Sequence, residues 1–174
     1  MRNPGLKQYL PFIKEEFRDD CLWGIEWNAD QPDRIVHIYE ALKKLDLPIG
    51  FNLIDIAAGH GTTVNGLARL FPKSKFTILD IRRYDEWKNI AKSIIKLEIP
   101  LQKFITKNVS HYNVVMMLNS FRYWKSPGPS KDNFMQWLTT YADYFITSDG
   151  RLSFPRLEIE GIDYKHKLEL YKIK

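Results

Sequence analysis

The chain has 174 residues, 44% of them hydrophobic, a single cysteine and a formal net charge of +5, which suits one globular domain with a sizeable core. No apolar run reaches the about 18 residues of a membrane-spanning helix, the start MRNPGLKQYL lacks a signal peptide's apolar centre, and Cys21 alone excludes an internal disulfide and a cysteine-rich zinc site, so a cytoplasmic protein without membrane association is expected. The charge admits a nucleic-acid or other anionic partner, although lysines spread along the chain serve equally as an ordinary solubilising surface.

The elements are expected in the following order. Leu6, Tyr9, Leu10, Phe12, Ile13 and Phe17 recur at near-helical spacing around Pro11. Asp19 to Gln31, with Trp23, Gly24 and Trp27, has no period and reads as a loop. A second helix starts at Asp30 or Gln31 beside Pro32 and carries Ile35, Ile38, Tyr39, Leu42 and Leu45 on one side. Leu53, Ile54 and Ile56, interrupted by Asp55, form the first strand. Ala57, Gly59 and Gly61 follow on alternate positions, where a larger side chain would hold a ligand off the backbone. Val64, Leu67, Ala68, Leu70 and Phe71 make an amphipathic helix, and Phe76, Ile78 and Leu79 a second strand that ends in Asp80. Strand, glycine turn, helix, strand and acid make the first half of a nucleotide-binding unit.

Further on, Tyr84 to Leu97 reads as a helix with Trp87, Ile90, Ala91, Ile94 and Ile95 inward, broken by Pro100. Leu101 to Thr106 is then the third strand. Val114 to Leu118, apolar on both faces, suits the centre of a parallel sheet. After Ser126 to Pro129 comes a helix from about Lys131 to Ala142, with Phe134, Trp137, Leu138 and Tyr141 inward. Tyr144 to Thr147 is the fifth strand, with Arg151 to Phe154 competing for that role. Leu157 and Ile159, then Leu168 and Leu170, alternate around Gly161 as an antiparallel hairpin.

Two acids discriminate between nucleotides. In G-x-G-x-x-G the third glycine falls on Val64 when counted from Gly59 and on Thr62 when counted from Ala57, so the dinucleotide fingerprint is not met. Asp55 would repel a pyrophosphate at the helix N-terminus, whereas a ligand with a cationic amino-acid portion would gain from it. Asp80, at the end of the second strand, can accept both hydroxyls of an unphosphorylated ribose. Arg82 and Arg83 argue for a 2′-phosphate, as in an NADP-dependent reductase, but Asp80 stands in front of them and opposes it.

On these residues, over roughly Phe51 to Ser148, the chain resembles the class I S-adenosylmethionine-dependent methyltransferases. Their first motif is matched by Asp55, Ala57, Gly59 and Gly61, and their second by Asp80. The resemblance implies an α/β, three-layer Rossmann-like sandwich whose mostly parallel sheet of seven strands, or slightly fewer, carries an antiparallel C-terminal hairpin. It also implies a single domain over 1–174, with 1–48 a helical lid over the cofactor face and 49–174 the core. The cofactor would be S-adenosylmethionine, touched by Asp55, Ala57, Ala58, Gly59, His60, Gly61, Asp80, Ile81, Asn108 and Asn119. Asn108 is the polar candidate for the adenine, because the resemblance expects an acid or amide after the third strand.

The resemblance puts the fourth motif at Asn119-Ser120-Phe121-Arg122-Tyr123-Trp124, after the fourth strand. No proline follows Asn119, which disfavours base amino methylation, and the acid of the RNA 2′-hydroxyl methyltransferases is missing. Asn119 and Tyr123 are the catalytic candidates, although Asn119 serves equally as a strand cap. Arg122, Tyr123 and Trp124 are the substrate candidates, an arginine for anionic groups and rings for stacking. His60, inside the turn, is a rim residue before it is a base, and no residues have metal-ligand spacing. The activity implied is methyl transfer to an oxygen or nitrogen of an unidentified substrate. The alternative is an inactive methyltransferase-fold domain that binds or scaffolds.

Overall fold

A computed structural model describes residues 31–81, 83–118, 131–148, 152, 154–157 and 168–174. Its elements are α1 (Gln31–Lys44), β1 (Asn52–Ile56), α2 (Thr62–Leu70), β2 (Lys75–Asp80), a 3-10 turn (Asp85–Lys88), β3 (Ile95–Glu98), α3 (Leu101–Lys107), β4 (Tyr112–Met117), α4 (Lys131–Tyr141), β5 (Ala142–Thr147) and β6 (Glu169–Lys172). They build one six-stranded sheet in the order β3-β2-β1-β4-β5-β6. All neighbours pair in parallel except β5 and β6, which are antiparallel.

Helices cover both faces, so the sheet strands read as apolar runs rather than as alternation. On one face Ile35, Ile38 and Leu42 of α1 and Val64 and Leu67 of α2 pack on Leu53, Ile78, Val114, Met116 and Ile146. On the other, Phe104 of α3 and Phe134, Trp137 and Leu138 of α4 pack on Ile54, Ile56, Val115, Met117 and Phe145. The expected three-layer sandwich is therefore observed. Gly66 lets the two helices of the first face approach, since a Cβ there would lie 2.9 Å from Ile35 Cδ1. Of the segment expected as a lid, the described part, α1, belongs to this core layer, because its apolar side faces the sheet. The first helical stretch, Leu6 to Phe17, lies outside the described residues.

The structure corrects the sequence reading between β2 and β4. The expected helix over Tyr84 to Leu97 is instead the 3-10 turn followed by β3, and the expected third strand over Leu101 to Thr106 is the helix α3. Ile95, Leu97 and Ile99 alternate with Lys96 and Glu98, a period of two that had been absorbed into the preceding helix pattern. Leu101, Phe104 and Ile105 have the i, i+3, i+4 spacing of a helix. Pro100 occupies the N-cap and starts α3 instead of breaking its predecessor, since a first-turn N–H has no intrahelical partner to lose. Trp87, Ile90 and Ile94 are buried as expected, whereas Ile95 is exposed.

At the C-terminal edge, Leu157 N–H donates to Leu170 O (2.8 Å) and Lys172 N–H to Pro155 O (3.1 Å). Arg156 thus bridges antiparallel to Tyr171, as the outer limb of the expected hairpin. The Gly161 turn lies outside the described residues. The fifth strand is Ala142–Thr147, in preference to the competing run around Leu152 and Phe154.

Candidate functional site at the glycine turn

The chain leaves the C-terminal end of β1 through three left-handed residues at alternate positions: Ala57 (φ 57°), Gly59 (φ 55°) and Gly61 (φ 75°). Their Cα atoms meet different surroundings. A Cβ on Gly61 would lie 2.5 Å from Ile90 Cδ1 and 3.0 Å from Ile78 Cδ1, so this glycine allows the turn to close on the core. A Cβ on Gly59 would meet nothing within 4 Å. Gly59 is therefore the place where bare backbone faces open space.

Three N–H groups of the turn are engaged within the protein. Ala58 N–H donates to Leu79 O (3.1 Å), Gly61 N–H to Ala58 O (3.0 Å), and Gly59 N–H to Asp80 Oδ2 (2.9 Å). Successive N–H groups in such alternating conformations form a cradle for anions. Here the protein's own carboxylate lies in it, which disfavours a phosphate at the same place. Trp87, buried in the 3-10 turn, donates Nε1–H to Gly59 O at 2.8 Å. Beside it, His60 Nδ1 lies 2.9 Å from Glu86 Oε1, and the His60 ring packs against Tyr84 with centroids 4.9 Å apart.

Two carboxylates flank the turn at the ends of adjacent strands, Asp55 on β1 and Asp80 on β2, and both are buried. Loss of solvent and the nearby Asp80 charge raise the Asp55 carboxyl well above the ordinary carboxylate range, opposed by the buried Arg34 guanidinium of α1. Desolvation pushes Glu86 upward, but its backbone hydrogen bond, His60 and Lys88 together bring it below the usual value. The hollow thus favours positive charge and hydroxyl donors.

No protein-family profile and no curated protein matches the sequence. Solved structures do match in fold. The pyocyanin biosynthetic protein PhzM gives a TM-score of 0.54 at 10% identity, over 83% of this chain and 55% of its own. PKMT2 from Rickettsia typhi, in complex with AdoHcy, gives 0.53 at 14% identity, over 68% and 25%. A cyclopropane-fatty-acyl-phospholipid synthase-like protein from Lactobacillus casei gives 0.50 at 13% identity, over 69% and 50%. The chain has the class I methyltransferase fold. It spans between a quarter and just over half the length of these three structures.

Within this methyltransferase fold, Asp55, Ala57, Ala58, Gly59, His60, Asp80 and Ile81 gather at the C-terminal end of β1 and β2. Ile81 directly follows Asp80 and is 71% exposed, an apolar surface at the rim. Gly61 belongs to the turn but faces the core.

Asn108 does not join this group. It caps the C-terminus of α3, its carbonyl accepts from Trp137 Nε1 (3.3 Å), and it precedes Tyr112, where β4 begins. That is the opposite end of the sheet, about 16 Å away for a strand of this length. The misplacement follows from reading α3 as a strand. The true end of the third strand is Glu98, in register with Asp80, and Ile99 N–H donates to Asp80 O at 2.9 Å. Glu98 and Ile99 therefore occupy the position where the resemblance expected a polar adenine contact. Asn119, Arg122, Tyr123 and Trp124 lie outside the described residues, as does Arg82. Sequence reasoning missed Arg34, Glu86 and Trp87 as partners of the site. Only the two acids in the first turn of the 3-10 segment, Asp85 and Glu86, mark that segment in the sequence.

Proposed function

We propose that this chain binds S-adenosylmethionine at the glycine turn and transfers its methyl group to an oxygen or nitrogen nucleophile. The observation that carries the reading is the open backbone at Gly59, set between the buried carboxylates Asp55 and Asp80. The donor set fits the cofactor on three counts. Its ammonium and sulfonium suit a pair of carboxylates balanced by a single buried arginine. Its unphosphorylated ribose suits Asp80, and its lack of phosphate suits a turn in which the Ala58, Gly59 and Gly61 N–H groups are engaged internally. Ile81 offers an exposed aliphatic surface for the adenine, and Ala58 and His60 continue the floor and rim.

When bound, the sulfonium supplies an activated methyl group, so the protein's task is mainly orientation. Gly59 lets the ligand approach the main chain, Trp87 fixes the Gly59 carbonyl, and the buried Asp55 lies beside the turn, where a cationic ligand would favour its ionised form. The residues after β4 supply the acceptor side in this proposal: Asn119 and Tyr123 orient the nucleophile, and Arg122 and Trp124 hold an anionic or nucleic-acid substrate. The absence of an acid in that motif favours a second reading, a domain of the same fold that binds without catalysis.

Calorimetry with S-adenosylmethionine and S-adenosylhomocysteine separates the outcomes. Binding of both, followed by methyl transfer to an offered acceptor pool, is the expected result. Binding without transfer supports the second reading, and no heat from either ligand at millimolar concentration removes the enzyme.

A further inference from the structure

A groove of about 470 Å³ opens at the entry end of the sheet, between the segment that leads from α1 into β1 and the one that leads from α2 into β2. Leu45, Leu47, Phe51, Leu70 and Phe71 give it apolar walls. These walls are fixed before anything binds. The Phe71 ring meets Phe51 edge-on with centroids 5.2 Å apart, and Lys75 N–H donates to Phe51 O at 2.9 Å. Ile49 stands at the rim on a turn closed by Phe51 N–H to Pro48 O (3.1 Å), and it is 90% exposed. A closed turn thus holds an isoleucine out in water beside an apolar groove. The two make one continuous patch, which marks an interaction site where a single scattered apolar residue would not.

Charge and shape say what fits. Lys43 stands on one wall and Lys73 on the other, and no Asp or Glu belongs to the lining. Glu40, one turn before Lys43, pairs with it at 3.5 Å, an exposed contact that a partner's acid can replace at little cost. Asp46 bears on Tyr144 of β5 instead. The groove is open along one side, so a small molecule in it would keep much of its own surface in water, whereas a polypeptide lying across it covers the groove and Ile49 together. We propose that this groove docks a partner protein, through a segment carrying one or two large apolar side chains flanked by acids. The five residues of β1 separate the groove from the glycine turn by about 16 Å. A docked partner therefore leaves that turn open, and the proposal stands independently of the nucleotide reading.

The test is selection of displayed random twelve-residue peptides on the immobilised full chain, with counter-selection on Ile49→Asp. Enriched sequences should pair Leu, Ile, Phe or Trp with neighbouring Asp or Glu, and should shift backbone amide resonances at residues 42–51 and 70–74. Ile49→Asp should weaken their binding at least about tenfold, and Lys43→Glu and Lys73→Glu roughly two- to fivefold each. All three positions are exposed, so Tm should stay within about 2 °C of the natural protein. No enrichment over the counter-selection, enriched peptides without acids, or amide shifts elsewhere would overturn the proposal. A dimer in sedimentation that Ile49→Asp breaks would also overturn it, by making a second copy the occupant. Binding to phosphatidylglycerol vesicles that the same variant abolishes would do so by making the occupant a lipid surface.

Discussion

Ala57 is the only non-glycine among the described residues at positive φ (57°). A left-handed conformation costs an L-residue roughly 1–2 kcal/mol, partly offset in a glycine by the greater freedom of its unfolded chain. Ala57→Gly should therefore stabilise the protein by about 1 kcal/mol, read as a rise in Tm of roughly 2–4 °C for a chain of this size. A neighbour two residues earlier gives a pH-dependent prediction. The Asp55 carboxyl is raised in the folded state by desolvation and then by Asp80, so the fold binds its proton more tightly than the unfolded chain does. The stability that this provides is complete below the ordinary carboxylate range and is lost as pH rises through the raised folded value. Asp55→Asn cannot ionise, and its Tm relative to the natural protein should climb across that interval. A cationic ligand favours the ionised acid, so the Tm increase given by S-adenosylmethionine should grow with pH in the natural protein and lose that slope in Asp55→Asn. Parallel thermal melts across pH check both, and identical slopes in the two proteins would remove the charge argument.

At the scale of elements, the short 3-10 turn Asp85–Lys88 grips the glycine turn through Trp87 Nε1 to Gly59 O and through Glu86 to His60. Trp87→Phe keeps most of the buried ring but leaves the Gly59 carbonyl without this donor, at a cost of about 1–3 kcal/mol. Chemical denaturation should show that loss, and calorimetry a weaker affinity for S-adenosylhomocysteine, because the ligand platform is no longer fixed. An unchanged affinity would make Trp87 a packing residue alone. The same region shows where sequence patterns stop being decisive. β1, α2, β2 and β4 were legible because each is a long run of one period, or is apolar on both faces. The stretch from Tyr84 to Lys107 packs a 3-10 turn, a four-residue strand and a seven-residue helix into a few tens of angstroms of chain. Elements that short carry at most about two periods of signal, and Ile94-Ile95 fits a helix tail and a strand start equally well. Asn108 was misplaced for this reason and no other.

Across the whole molecule, polar groups gather at the two ends of the strands with an apolar sandwich between them. At the entry end, Asn52 and Asn113 exchange side-chain to main-chain hydrogen bonds of 3.0 and 2.9 Å, and Asp143 accepts from Asn113 Nδ2 and pairs with His111, each at 2.9 Å. That network joins β1, β4 and the start of β5. At the exit end the polar groups surround Gly59 instead. The location of the site was legible from Asp55, the glycine turn and Asp80, whose positions at strand ends follow from strand length alone. The contributions of Arg34, Glu86 and Trp87 were not, because they depend on which distant segments the sheet order brings to that edge. Among the described residues, no helix is long and apolar enough to cross a membrane. The most direct measurement is a crystal structure with S-adenosylhomocysteine. The account predicts the ligand lying along the Gly59 backbone, its ribose hydroxyls within hydrogen-bond distance of Asp80. Density for the ligand elsewhere, or a Gly59 face closed by protein side chains, would contradict it.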